Sequence, residues 1–343
     1  MAEMSAYKDD ILSVFQSVLP WEKLSGANIL VTGSTGLIGG CFVEALMMNP
    51  RRCYSVYATG RCEKRARDRF ADFFALEGFH FIKYDVTTPL TCDIKFDYII
   101  HAASGAYPSE FVKHTVEIIK SNVIGVVNLM DYGRNHDLKR FLYISSGEVY
   151  GEGDGRVFTE DYSGYVNITS PRSCYPSSKR AAETLCVSYA HEYGVDVVMA
   201  RPCHVFGPYF TESDNRVYAQ FIRNILKGED IIMKSTGEQY RSWCYVVDCV
   251  SALFHLLLKG DNCEAYNISD KFSNISIRGL AELMARIGNR EVIIDIPDDE
   301  EKRGFNVVSR SVFSAEKLEA LGWKPLNDTF ETKMSHTIKE LMR

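Results

Sequence analysis

The stretch Ala27-Asn28-Ile29-Leu30-Val31-Thr32-Gly33-Ser34-Thr35-Gly36-Leu37-Ile38-Gly39 decides the fold. Ala27–Thr32 reads as a buried strand. It runs directly into Gly33-x-x-Gly36-x-x-Gly39 and then a helical run through Met48. Glycines at this spacing permit a tight turn and let a pyrophosphate approach the backbone and the helix N-terminus. A plain structural turn is the competing reading, because glycines punctuate many turns. The strand before, the helix after and the position near the chain start favour a dinucleotide site.

Downstream, Tyr54–Ala58, His80–Tyr84, Phe96–His101 and Arg140–Ser145 read as further strands. Val195–Arg201 follows as another, after a helix over 175–193. Helical patterns lie between most of them, which predicts an α/β fold with a doubly wound parallel sheet covered on both faces. Upstream, apolar residues at helical spacing over 7–18 predict a short N-terminal helix ending near Leu19-Pro20. After Pro202 the character changes to turns, with a helix near 216–228 and a last amphipathic helix beyond FSAEKLEALGWKP. The expected organisation is therefore an N-terminal helix plus dinucleotide-binding domain over 1–202, to which 243–269 returns. Residues 203–242 and 270–343 form a smaller, discontinuous α/β lobe for the substrate.

Composition narrows the function. The 343 residues are 46% apolar and 24% charged, with a net charge of −6, values typical of a globular domain with a large core. An acidic balance disfavours nucleic acid as a partner, although a small basic pocket for a diphosphate is allowed. The start MAEMSAYKDD is unlike a signal peptide and no apolar stretch reaches about 18 residues, so no membrane role and a cytoplasmic location are expected. The ten cysteines form no CxxC pair and read as free buried thiols. His101 reads as a packing residue, since no partner ligands lie at suitable spacing, and no metal is expected. Trp243 and Trp323 read as packing residues too.

A second chemical signal is Tyr175-x-x-x-Lys179, two residues one helical turn apart. An ammonium near a phenol favours the phenolate, which could exchange a proton with a sugar hydroxyl or ketone. Among 19 tyrosines the spacing alone says little. It gains weight from Ser145-Ser146, a second hydroxyl source at the end of the preceding strand.

TGxxGxxG, then His101-Ala102-Ala103-Ser104, SSGEVYG over 145–151, YxxxK, Arg201-Pro202 and Phe206-Gly207-Pro208 together resemble an extended short-chain dehydrogenase/reductase of the NAD-dependent epimerase/dehydratase family. The resemblance covers about 26–343. Members mostly modify nucleotide-diphosphate sugars. The blocks Ser121-Asn122-x-x-Gly125, Gly164-Tyr165-Val166-Asn167, Pro171-Arg172-Ser173-Cys174-Tyr175 and Tyr240-Arg241-Ser242-Trp243-x-Tyr245-Val246-x-Asp248 are most similar to the UDP-glucuronate decarboxylase branch.

The resemblance implies roles. Tyr175 would transfer the proton, Lys179 would hold the nicotinamide ribose and tune Tyr175, and Ser146 would bond the sugar near C4. Gly33, Thr35, Gly36, Leu37, Ile38 and Gly39 would line the pyrophosphate. Arg61, Asp85, Val86, Ala102, Ala103, Ser104 and Asn122 would complete the cofactor site, with Asp85 on adenine. Gly147, Arg172, His204, Arg216, Arg241 and Arg303 would join Ser146 around the nucleotide sugar. A homodimer is implied through the helix at about 113–134 and the Tyr175 helix, with Val116, Ile119, Val123 and Val127 on one buried face. A monomer core would use the same residues.

Three departures from the family pattern matter. Dehydratases precede the acid at Glu148 with Asp and decarboxylases with Ser, whereas here Gly147 stands before it, so the acid pair for water removal is missing. Glu148 could also be a loop acid without chemistry. Gly60-Arg61 replaces the acid that usually binds the ribose hydroxyls after the second strand, which keeps NADP open as an alternative to NAD; Arg61 could instead stack on adenine or face water. His204 replaces the usual Asn and could bond a phosphate or be structural. The leading expectation is hydride transfer between a tightly bound NAD and sugar C4, in a decarboxylase-like or 4,6-dehydratase-like reaction. The alternatives are an NADPH-dependent 4-ketoreductase or epimerase and, more remotely, a non-catalytic dinucleotide sensor.

Overall fold

The computed structural model describes residues 4–105, 110–296 and 310–343. In chain order the strands are β1 (Asn28–Thr32), β2 (Ser55–Gly60), β3 (Phe79–Lys83), β4 (Tyr98–His101), β5 (Arg140–Ile144), β6 (Val197–Pro202), β7 (His204–Phe206), β8 (Ile231–Met233), β9 (Tyr240–Tyr245), β10 (Glu264–Ile268), β11 (Asn274–Ser276), β12 (Val292–Ile294) and β13 (Arg310–Ser311). The helices are α1 (Ala6–Ser13), α2 (Leu37–Met48), α3 (Glu63–Arg69), α4 (Glu110–Lys113), α5 (Thr115–Arg134), α6 (Cys174–Tyr193), α7 (Val217–Lys227), α8 (Val246–Lys259), α9 (Ile277–Gly288), α10 (Glu316–Glu319) and α11 (Phe330–Leu341).

Seven parallel strands pair in the order β10-β6-β5-β4-β1-β2-β3. The order reverses between β1 and β4, which opens a crevice at the carboxyl ends of these two strands. β1, β4 and β5 are almost wholly buried because helices cover both faces. One face packs against α2 and α8, and the other against α5 and α6. β9 belongs to a small second sheet with β7, β11 and β13, and the chain then comes back to the large sheet through α8 and β10. Trp243 and Trp323 are fully buried, the packing role expected of them. All ten cysteines are free thiols. Among the described residues, no helix is long and apolar enough to cross a membrane.

Differences from the sequence reading are confined to element ends. β4 starts at Tyr98 rather than Phe96, because the Asp97 carboxylate accepts the Asn28 backbone N–H at 2.9 Å and holds that residue out of the ladder. The N-terminal helix stops at Ser13 and continues only as a 3₁₀ turn over Val14–Gln16.

One buried ion pair joins the chain start to the glycine-rich turn. Arg69 Nε donates to Glu44 at 2.9 Å, and its Nη1 donates to the Gly36 carbonyl at 2.7 Å. Tyr7 from α1 donates to the other Glu44 oxygen at 2.6 Å. Gly40 makes this possible, since a Cβ there would lie 2.1 Å from Arg69 Cζ. Removing one partner of a buried pair strands the other charge. Arg69→Met is therefore expected to cost about 3–5 kcal/mol in urea unfolding, whereas Lys64→Met, which removes an exposed i,i+4 pair, should leave the unfolding midpoint unchanged.

Candidate active site

The site is assembled at the carboxyl ends of the strands. After β1, Gly33 turns the chain at φ +64°, and a Cβ on it would lie 2.6 Å from the Ala102 carbonyl oxygen that follows β4. Gly39, on the first turn of α2, would place a Cβ 2.5 Å from the Gly33 oxygen. Both glycines are thus required by close backbone approach. Gly36 caps α2, and its absent side chain would meet only the Gly33 oxygen, at 3.2 Å. That open side gives an anion access to the helix N-terminus.

Near the strand ends and on α5, the buried polar atoms Thr59 Oγ1, Asn122 Oδ1, Ser145 Oγ and His101 Nε2 lack partners among the described residues. Buried polar groups normally pair, so this set suits a bound polar ligand or ordered water. Asn122 Nδ2 donates to Ser178 Oγ at 2.9 Å, which ties α5 to α6 behind the site. His101 is buried, shares a hydrogen bond with Thr32 at 2.8 Å, and is pushed down to about 3 by burial and by Lys179. It is a neutral packing residue, as expected.

Beyond β3, Asp85 accepts the Thr87 backbone N–H at 2.9 Å and the Thr87 hydroxyl at 2.8 Å. Burial works to raise its carboxyl, but these two bonds and the Arg61 charge bring it below the usual range. Arg61 is exposed, and its charge favours the Asp85 carboxylate. Gly60 leaves room: a Cβ there would touch Thr35 only at 3.6 Å. Val86 is buried beside Gly125.

The cluster expected to transfer a proton is built around Tyr175. Tyr175 opens α6, 5% exposed, with its ring stacked on Phe111 at 4.4 Å. Burial raises its phenol to about 12; a hydrogen bond with Ser146 and the charges of Arg216 and Arg172 pull it down, while Glu148 pushes it up. Four side chains expected at the site from sequence are thus brought around this one hydroxyl. Lys179 is also buried, but its Nζ donates to the Ile144 carbonyl at 2.8 Å and lies 5.7 Å from the Tyr175 ring centroid. Burial lowers the Lys179 ammonium to about 7 against the pull of Glu183. The charges of Arg216, Arg172 and Glu148 also act on the phenol.

Ser146 and Glu148 are the two ends of one short turn. The Glu148 backbone N–H donates to Ser146 Oγ at 3.2 Å, and both Glu148 carboxylate oxygens accept from Arg172 Nη2 at 3.0 Å. The Arg172 guanidinium lies 4.6 Å over the same Phe111 ring that stacks on Tyr175. Arg216 is held by the buried Asp214 through bonds of 3.0 and 2.6 Å. Arg241 is buried, and burial lowers its guanidinium against the pull of Glu148. Beside these arginines His204 Nδ1 is buried without a partner, and burial holds this ring down to about 3, so it is neutral. Ala102, Ala103 and Ser104 follow β4 at the mouth of the crevice, and Thr35, Leu37 and Ile38 lie on the glycine-rich turn and the start of α2. Arg303 lies outside the described residues. Phe111 and Asp214 escaped the sequence reading, because neither a lone aromatic nor a lone acid signals that it buttresses an arginine.

A parallel sheet with a glycine-rich phosphate turn at its switch point, facing a Tyr-Ser-Lys cluster ringed by arginines, defines a nicotinamide-dependent enzyme for phosphorylated substrates. The chain belongs to the NAD dependent epimerase/dehydratase family, whose model matches residues 29–269. It is 34% identical over 308 residues to UDP-glucuronic acid decarboxylase 6 of Arabidopsis thaliana, covering 88% of this chain and 85% of that protein. It is 30% identical over 303 residues to UDP-glucuronic acid decarboxylase 1 of Xenopus tropicalis, covering 87% and 68%. Among solved structures it resembles UDP-glucose 4-epimerase from Thermotoga maritima with UDP-glucose, with a TM-score of 0.76, 25% identity and coverage of 91% and 97%. The fold is also that of dTDP-glucose 4,6-dehydratase from Streptomyces venezuelae, with a TM-score of 0.78, 22% identity and coverage of 91% and 96%.

The cofactor is NAD, as the family's description has it, and the residues present fit it except at one point: no carboxylate ends β2 to take the ribose hydroxyls. Gly60→Asp is accordingly expected to tighten NAD binding by about tenfold, the value of one hydrogen bond to a charged group, as read by a fluorescence titration. Unchanged or weaker binding would show that Arg61 and its surroundings already satisfy the ribose.

Proposed function

We propose that the chain is a nucleotide-sugar decarboxylase of the UDP-glucuronate type. The observation that carries this reading is the single carboxylate Glu148, paired with Arg172 beside Tyr175, in a ring of cations that also includes Arg216 and Arg241. A nucleoside diphosphate uronate carries negative charge at two places, the diphosphate and the sugar carboxylate, and arginine forks suit both. The decarboxylases named above are similar along most of the chain, which supports the same choice.

NAD, when bound, would supply a reversible hydride acceptor for sugar C4. The glycine-rich turn, Asp85, Asn122 and Lys179 would hold it. Tyr175 takes the C4 hydroxyl proton, with Ser146 and the nearby arginines offsetting the cost of the phenolate. The C4 ketone then receives the electron pair of the C5–C6 bond as the carboxylate leaves as carbon dioxide. Glu148 orients the sugar through Arg172 and relays a proton taken from solvent to C5, and Tyr175 returns its proton at C4. The smaller lobe, built from 203–242 and 270–343, holds the nucleotide sugar. The protein works in the cytoplasm.

A homodimer completes the reading. On α5, Val116 and Ile119 are 55% and 44% exposed in the single chain, and Val187 on α6 is exposed as well, an apolar strip that a second copy would cover. Sedimentation at micromolar concentration is expected to give twice the chain mass, and a monomer would remove this part.

The mechanism is tested with UDP-glucuronate under single turnover. Tyr175→Phe should lower turnover by about 10³-fold with cofactor still bound, and Glu148→Gln should keep the reduced-nicotinamide absorbance while slowing carbon dioxide release by about 10²-fold. Full product from the Gln variant would remove Glu148 from the mechanism and favour the ketoreductase, whose chemistry stays at C4.

A further inference from the structure

Gly147 stands between Ser146 and Glu148, and the structure shows what replaced its side chain. A Cβ at 147 would lie 2.3 Å from Phe313 Cζ and 2.4 Å from Cε1. That ring comes from the chain just after β13, 166 residues away in sequence. It is buried and has no room to yield. Tyr150 and Phe158 meet it edge-on at 5.6 and 5.3 Å. The backbone on either side is pinned to Phe158, with Phe158 N–H on the Val312 carbonyl at 2.7 Å and Ser314 N–H on the Phe158 carbonyl at 2.9 Å. The Phe313 N–H itself donates at 3.1 Å to Ser242 Oγ, next to Arg241.

We propose that Phe313 is a positioning residue that wedges the Ser146–Glu148 turn in place and keeps position 147 free of a second acid. The inference rests on the roles given above to Tyr175 and Glu148. Removing water across C5–C6 of a 4-keto sugar needs a base at C5 and an acid on the departing C6 oxygen together. Losing the C6 carboxylate needs only one proton, delivered to C5 after the bond electrons have entered the ketone. A turn carrying one carboxylate, fixed in direction by a ring beneath it, matches the second demand and not the first. Overpacked cores resist such insertions when the neighbours cannot move, so residues 147 and 313 must vary together.

The test compares wild type, Gly147→Asp, Phe313→Ala, Phe313→Leu and the Gly147→Asp/Phe313→Ala double variant, all with bound cofactor. Gly147→Asp is expected to lower the melting temperature and to cut decarboxylation by at least about 10²-fold. The double variant is expected to recover at least tenfold over Gly147→Asp, the mark of two coupled residues. Phe313→Ala alone should leave KM nearly unchanged. It should raise at least tenfold the fraction of turnovers that release the 4-keto intermediate, a leak that simple loss of stability does not cause; Phe313→Leu should largely prevent that leak. Gly147→Asp with wild-type melting and turnover, a double variant no better than Gly147→Asp, or a Phe313→Ala enzyme without the leak would each overturn the proposal. If wild type releases no carbon dioxide from any nucleotide uronate, the functional reading fails instead. The coupling between 147 and 313 is then still judged by melting temperature.

Discussion

Two strand ends approach so closely that only hydrogen atoms fit between them. Gly33 sits against the Ala102 carbonyl, and Gly39 sits against Gly33. This contact brings α2 down onto the crevice between β1 and β4 and points its N-terminus at the place where a diphosphate belongs. Everything else in the site takes its position from that crevice. Asp85 lies along it on one side, and Ser146, Tyr175 and the arginines lie along it on the other. Any side chain at Gly33 or Gly39 would lift the helix away and separate the two halves.

The fold was largely legible because its signals are local. Buried strands such as Ile29-Leu30-Val31 declare themselves, and the turn after β1 names its own purpose. Tyr175, Lys179, Ser146 and Asn122 were singled out only together, since YxxxK says little alone and gains weight from the motifs beside it. What the residues could not disclose were contacts between distant segments. Nothing in the neighbourhood of Phe111 says that its ring lies between Tyr175 and Arg172. Nor does YxxxK reveal that Lys179 donates to the Ile144 carbonyl, or that the charges of Arg216 and Arg172 act on the phenol.

Gly147 and Gly40 share a lesson. In sequence each looks like a residue lost. In the structure each is a space taken by a side chain from elsewhere, Phe313 in one case and the Arg69 guanidinium in the other. A departure from a family's pattern is therefore readable only as half of a pair, and the other half lies where topology, not spacing, puts it. Both substitutions tie a functional turn to distant chain: Arg69 connects Gly36 to α1 through Glu44 and Tyr7, and Phe313 connects the Glu148 turn to Ser242.

The first helix also meets the last. Asp10 accepts from Tyr245 at 2.9 Å and pairs with His336 at 2.8 Å across 326 residues of sequence. Tyr7 on the same helix finds Glu44 early, but Asp10 waits for segments far along the chain, and so does β6, whose outer neighbour β10 begins only at Glu264. Folding of such a topology is dominated by non-local closure, which is slow and leaves apolar strand edges open in the meantime. Until β10 and α11 dock, the outer edge of β6 and the polar side of α1 stay open.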